Sequence, residues 1–279
     1  MFKKSLISLI AISVLILSGC GKHEKDKKSQ DQLALIKQKG EIVVGVKYDA
    51  KPFGYVDVDG NLKGFDIDLA QILAKKILGN EKRVTFRQVY THNRISKLNS
   101  GEVDMVIATM TITPDRAQVV KFSIPYYDVG QAVMIRKTSS INSIGDLNGR
   151  RTFVILGTTA EKNLRHFAPE AIVKGYRTYQ GAFDAFEAAR GEAITTDDTI
   201  IAGFIQDHHK YKMLPQRYTK EGYAIAFRKD PSTDSLKADV DNIITNMRKN
   251  GEMNALKHKW LPQESDKKFK NKIEKRRMK

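Results

Sequence analysis

The stretch Ala108-Thr109-Met110-Thr111-Ile112-Thr113-Pro114-Asp115-Arg116 carries the side chains best suited to hold an anion. Thr111 brings a hydroxyl and the turn brings free backbone N–H groups. Arg116 brings a planar guanidinium fork that takes a carboxylate through paired, charge-assisted hydrogen bonds. The same residues also read as a plain helix start, with Thr113 as cap, Pro114 at the first helical position, and Asp115 and Arg116 in water. Three further groups occupy comparable places. Lys47 lies just past an apolar run and Arg94 at the start of a short helix; both could equally be solvated cations. Gly157-Thr158-Thr159 can offer the N–H groups of a helix start to an anion, or can serve only as a cap. Thr195-Thr196-Asp197-Asp198 closes another apolar run. No catalytic residue stands out. Glu161, one turn into a helix, is the nearest candidate acid or base, and carboxylates at helix starts are usually structural. The six histidines, His23, His92, His166, His208, His209 and His258, form no spaced set with carboxylates, so neither a metal nor another cofactor is expected.

These groups must be positioned by alternating strands and helices. Residues 41–46, 83–89 and 103–108 read as buried strands, with a helix opened by Asp66 and closed by Gly79 between the first two. A second round starts after Ile135. It has strands at 151–156, 172–175 and 193–195, helices at 160–166, 181–190 and 199–206, and a strand at 223–227. Two helices, at 235–249 and 252–259, finish the pattern. Asp198 is expected to cap the helix from 199. Alternation of this kind implies α/β architecture with mostly parallel sheets, in two lobes of unequal size. In such sheets ligands bind outside the carboxyl ends of the strands, where the groups above fall.

Composition bounds the setting. Lys3 and Lys4 precede a short apolar run from Ser5 to Ser18, shorter than the roughly 20 residues needed to span a bilayer. Basic flank, apolar stretch and small residues make an export signal over 1–19. The ending Leu17-Ser18-Gly19-Cys20 resembles the bacterial lipoprotein box, which implies lipidation of Cys20; an ordinary signal beside a chance cysteine is the alternative. Cys20 is the single cysteine, so an exported chain has no internal disulfide and depends on its core. The net charge of +16 is uneven, with eight basic residues against Asp266 and Glu274 after Ser265. An exported basic tail suits anionic lipid or wall polymer, or no partner at all, better than nucleic acid.

The residues Ala108 to Arg116, followed by Phe122-Ser123-Ile124-Pro125-Tyr126-Tyr127, resemble the family 3 extracellular solute-binding proteins, the amino-acid receptors of ABC importers. Gly45-Val46-Lys47-Tyr48-Asp49, Pro52-Phe53, Gly64-Phe65-Asp66-Ile67-Asp68-Leu69-Ala70 and Asp104 fit the same pattern. The resemblance runs from about 31 to 262. It implies the two-lobed type II periplasmic-binding-protein fold. The expected divisions are a lipidated leash over 20–30, lobe 1 over 31–132 and again over 223–262, lobe 2 over 133–222, and a basic tail over 263–279. Hinge crossovers are expected near 131–133 and 222–224. The resemblance also implies an amino-acid ligand and an ABC permease as partner, and a monomer is expected. The lipoprotein box implies anchoring on the outer face of a cell membrane, and a disulfide-free surface lipoprotein fits a Gram-positive type in preference to a periplasm.

By the same resemblance Arg116 holds the ligand α-carboxylate, with Thr111 and the backbone at Thr109 beside it. Phe53 walls the pocket, Asp197 takes the α-ammonium, and Thr158 and Thr159 form a second cradle. Lys47 and Arg94 match cations that contact a side-chain carboxylate in relatives taking glutamate or aspartate. Glutamine is the next ligand, since relatives that take it carry an acidic or neutral residue in place of Lys47. His92-Asn93 and Leu156 depart from the family pattern, which leaves the ligand open. Dehydratase-like enzymes share the fold and stand as the alternative class.

Overall fold

The structure, a computed structural model, describes residues 30–261. The export signal, Cys20 and the basic tail lie outside the described residues. Helix α1 (Gln32–Lys39) starts where the Asp31 side chain accepts the Ala34 N–H, and ends at Gly40 in the left-handed region. Strand β1 (Ile42–Val46) follows. Strands β2 (Asp49–Ala50), β3 (Gly54–Val56) and β4 (Leu62–Lys63) make a small antiparallel sheet. Next come helix α2 (Phe65–Leu78), strand β5 (Val84–Gln88), helix α3 (Arg94–Asn99), strand β6 (Met105–Val106), helix α4 (Pro114–Ala117) and strand β7 (Val120–Phe122). Strand β8 (Tyr127–Val129) leads out of this lobe into strand β9 (Gln131–Arg136). The second lobe continues with β10 (Arg151–Ile155), α5 (Ala160–Phe167), β11 (Ile172–Tyr176), α6 (Tyr179–Glu187), β12 (Ala193–Asp197), α7 (Asp198–Asp207) and β13 (Tyr211–Met213). Strand β14 (Glu221–Tyr223) returns the chain to β15 (Ala226–Arg228), α8 (Asp234–Lys249) and α9 (Glu252–Trp260).

Each lobe holds one five-stranded sheet. The orders are β5-β1-β6-β15-β7 and β11-β10-β12-β9-β13. In the first, β15 alone runs against its neighbours; in the second, β9 alone does. Both sheets are thus mostly parallel. The reversed strand in each sheet is the one that directly follows a crossing between lobes. The crossings themselves pair as an antiparallel ribbon, β8 with β14, in the register Tyr127↔Tyr223 and Val129↔Glu221. Helices α8 and α9 pack on α1 and α2 of the first lobe.

Several local expectations shift. The first crossing precedes Gln131, which already pairs with Asp197 inside the second sheet. The expected strand 223–227 divides into β14 and β15, because Tyr223 pairs with the ribbon while Ala226 pairs with Val106 and Phe122. Strand 103–108 is regular only at Met105 and Val106, although the whole stretch is buried apart from Asp104. The carboxylate of Asp104 accepts from the Val43 N–H at 2.8 Å and from Gln32 Nε2 at 2.6 Å. Helix α6 begins two residues early, where the Thr178 hydroxyl accepts the Gly181 N–H.

Asp66 does not cap α2. The cap position belongs to Gly64, at φ 135°, where a Cβ would strike the Phe53 carbonyl oxygen at 2.1 Å. Asp198 is likewise no cap. Asp197 takes the cap position of α7 without a side-chain bond to the helix, and Asp198 pairs with Arg217.

Candidate functional site

A small, narrow cavity lies between the lobes. The first lobe lines it with Thr91, Arg94, Thr109, Thr111 and Arg116, the second with Thr158, Thr159, Tyr179 and Asp197. Seven of the nine predicted ligand-binding residues therefore meet there, including both arginines and the aspartate. Lys47 and Phe53 do not.

The first-lobe wall is built on the turn after β6. Thr109 is a non-glycine residue at φ 46°, in a region that L-residues with branched side chains avoid. Its N–H donates to Asp66 Oδ2 at 3.1 Å, and the Tyr126 hydroxyl donates to Asp66 Oδ1 at 2.9 Å. Asp66 is fully buried, and burial pushes its carboxyl up to about 7. Arg94 supports the same turn from the other side, donating through Nη1 to the carbonyls of Ala108 at 2.6 Å and Thr109 at 3.3 Å. Its Nε is buried with no partner. Burial first, then the charge of Arg116, brings the Arg94 guanidinium down to about 9.

Arg116 sits on α4, whose start is fixed by the Thr113 hydroxyl accepting the Arg116 N–H, with Pro114 in the first turn. Nη1 donates to the Thr111 carbonyl at 2.7 Å, and Nη2 reaches across the cleft to the Gly157 carbonyl at 2.8 Å. Thr111 also bridges to Tyr223 of the ribbon. Burial lowers the Arg116 pKa.

On the opposite wall Asp197 ends β12. Burial raises its carboxyl to about 7, with Glu221 adding to the rise. Its Oδ2 accepts from the Tyr223 hydroxyl, so a residue of the return crossing holds it. The Thr159 hydroxyl donates to Glu221 at 2.9 Å and accepts from Gln131 Nε2 at 2.5 Å. The Thr158 hydroxyl donates to the Ile155 carbonyl at 2.6 Å. The wall is therefore tied to both crossings.

Lys47 lies behind the cavity. Its Nζ donates to the Thr91 hydroxyl and stands 5.3 Å from the centre of the Tyr179 ring. Burial first, then Arg94, lowers the ammonium to about 7. Thr91 and Tyr179 thus screen it from the cavity. Phe53 is core, packed edge-on against Phe65, Tyr127 and Tyr223. Thr91 and Tyr179 were missed. Thr91 follows a strand and precedes Arg94, so its position at a strand end was the available signal. Tyr179 had none in sequence, because its place depends on where α6 starts. Glu161 faces Arg165 at 3.0 Å, away from the lining. Among the described residues, no group of three or more His, Cys, Asp or Glu side chains is placed to hold a metal ion, and no helix is long and apolar enough to cross a membrane.

A cleft closed by two lobes, with the half-buried Arg116, the buried Arg94 and the buried Asp197 facing one space, can clasp a small zwitterion. Comparison with known proteins agrees with that geometry. The chain is 37% identical over 270 residues to an ABC transporter glutamine-binding protein of Bacillus subtilis, covering 94% of this chain and 97% of that one. It is 38% identical over 239 residues to a glutamine-binding protein of Geobacillus stearothermophilus, covering 80% and 91%. The crystal structure of a cysteine-binding protein from Campylobacter jejuni superposes with a TM-score of 0.78 at 34% identity, covering 82% of this chain and 92% of the other. The sequence model of one family spans residues 42–263, and with these matches it shows that the chain belongs to the bacterial extracellular solute-binding proteins, family 3.

Proposed function

We propose that this protein is a receptor for a polar α-amino acid, glutamine first, which it delivers as a monomer to an ABC permease. In this reading Cys20 carries a lipid that holds the protein on the outer face of the cell membrane. The observation that carries the reading is the facing pair Arg116 and Asp197, one from each lobe, on a single cavity. The ligand carboxylate docks on Arg116, whose guanidinium has more donors than its two present carbonyl partners use. The ligand ammonium meets Asp197 and holds it ionised, because a positive charge beside a buried carboxyl favours the charged form. Rotation about the β8–β14 ribbon brings the two contacts together, so the closed form alone makes both.

Glutamine comes before glutamate for two reasons. Lys47, one of the two cations behind the acidic-ligand expectation, is screened from the cavity by Thr91 and Tyr179. The lining beside Arg94 is otherwise hydroxyl-rich, and hydroxyls both give and take hydrogen bonds as a side-chain amide requires. The glutamine-binding relatives at 37% and 38% identity support the same order. Glutamate ranks second, because Arg94 keeps a buried Nε without a partner.

Thermal melting of the chain from residue 21 onward tests the reading against glutamine, glutamate, aspartate, arginine and cysteine. Ligand at about a hundred times its Kd should stabilise the chain by about 2.7 kcal/mol, and glutamine should give the largest upward shift. A largest shift with arginine would contradict the charge balance assigned to the cavity. Turnover of a bound acid would instead place the chain among enzymes of this fold.

A further inference from the structure

The lobes also touch through Asp49, Lys51, Pro52, Gly203 and Asp207, none of which lines the ligand cavity. The first-lobe segment 49–52 lies against the starts and faces of two second-lobe helices. Asp49 Oδ2 accepts the backbone N–H of Tyr179, the first residue of α6, at 3.0 Å. A carboxylate there complements the free N–H groups and positive end of that helix. Lys51 Nζ pairs with Asp207 at the far end of α7, at 2.5 Å. Between these two contacts the backbone of Lys51 and Pro52 rests directly on Gly203. A Cβ built on Gly203 would stand 2.6 Å from the Lys51 carbonyl oxygen, 3.0 Å from its carbon and 3.2 Å from Pro52 Cδ. Two of those atoms are backbone and cannot swing away.

Gly203 sits inside a regular ten-residue helix, where glycine is a poor choice for the helix itself. Its backbone needs no positive φ. What the position does require is room for the opposite lobe. We propose that Gly203 and the Asp49–Pro52 segment form a closure contact that sets how far the lobes shut, and so sets ligand affinity without touching ligand. Gly203 is a positioning residue in this role: it admits the Lys51 carbonyl, and Asp49 then takes the first N–H of α6 across the cleft. The inference rests on the receptor reading above. Apparent affinity scales with the population of the binding-competent closed form, so a contact that exists only in that form tightens binding.

Gly203→Ala tests it. Alanine favours the helix, so the ligand-free variant should melt at or above the wild-type temperature. The same methyl group should hold the lobes apart, lowering glutamine affinity by about tenfold or more, and small-angle scattering should show a smaller contraction with glutamine than wild type shows. Asp49→Ala loosens the contact from the other lobe and should cost about tenfold in affinity through loss of a charge-assisted hydrogen bond. Equal affinity and equal contraction in wild type and Gly203→Ala would overturn the closure contact while leaving the receptor reading in place. A wild type that binds no amino acid would overturn both.

Discussion

At the scale of single residues, the site is two opposed charges held by different means. Arg116 is held by carbonyls and Asp197 by a tyrosine hydroxyl. Arg116→Ala removes the group assigned to the carboxylate, and glutamine binding should fall more than a hundredfold by calorimetry, since charge-assisted bidentate contacts contribute several kcal/mol together (about 1.5–3 each). Asp197 should impose a pH dependence. Its carboxyl is raised to about 7, so in the ligand-free protein it gains protons as pH falls through 7. An ammonium ligand needs the ionised form, so affinity should weaken as pH drops from about 8 to about 5. Asp197→Asn should bind weakly and show a flatter profile over that window. For folding the sign is opposite. The folded pKa lies above the unfolded value, so burial of this carboxyl costs stability as pH rises from about 4 to 7. Lys47→Met should leave the preference between glutamine and glutamate unchanged, because Lys47 stands behind Thr91 and Tyr179. A switch of preference in that variant would restore the direct role expected from sequence.

At the scale of elements, the turn after β6 is the part most exposed to error. Thr109 is kept at φ 46° by Asp66 on one side and Arg94 on the other. Asp66→Ala should cost about 2 kcal/mol in urea unfolding, since it strands a buried Tyr126 hydroxyl and a buried N–H. It should also weaken ligand binding by displacing the turn. Asp66 shows where sequence reasoning met its limit. Its helical period and position imply a cap, and only the fold reveals that Gly64 takes the cap because of Phe53. Elements with their own local signals were legible: Gly40 and Gly79 end helices as expected, and β1, β10 and α8 fall within a residue of their expected bounds. The split between β14 and β15 was not legible, because Tyr223 and Ala226 differ only in which distant strand claims them. The places of Arg94 and Arg116 after strands fitted solvated cations equally well, and the family resemblance supplied the expectation that they face a ligand. The screening of Lys47 could not be read, because it depends on Tyr179 arriving from the other lobe.

At the scale of the molecule, two similar sheets each reverse one strand immediately after the chain changes lobe, and a two-stranded ribbon carries both crossings. In the proposed receptor, that arrangement would make closure a rotation with few moving residues. It also ties the motion to the site, because Tyr223 belongs to the ribbon, bridges to Thr111 and bonds Asp197. Tyr223→Phe should therefore weaken glutamine binding by about ten- to a hundredfold, the worth of one hydrogen bond to a charged carboxylate, with the far-ultraviolet spectrum unchanged. Ordinary affinity in that variant would separate the ribbon from the site. The most direct measurement of the central claim is a calorimetric titration of the chain from residue 21 with glutamine and with glutamate, beside Arg116→Ala. The account predicts one site per chain, glutamine bound at micromolar Kd or tighter and more strongly than glutamate, with no heat in the variant. Absence of binding to either amino acid by the wild type, or undiminished binding by Arg116→Ala, would contradict it.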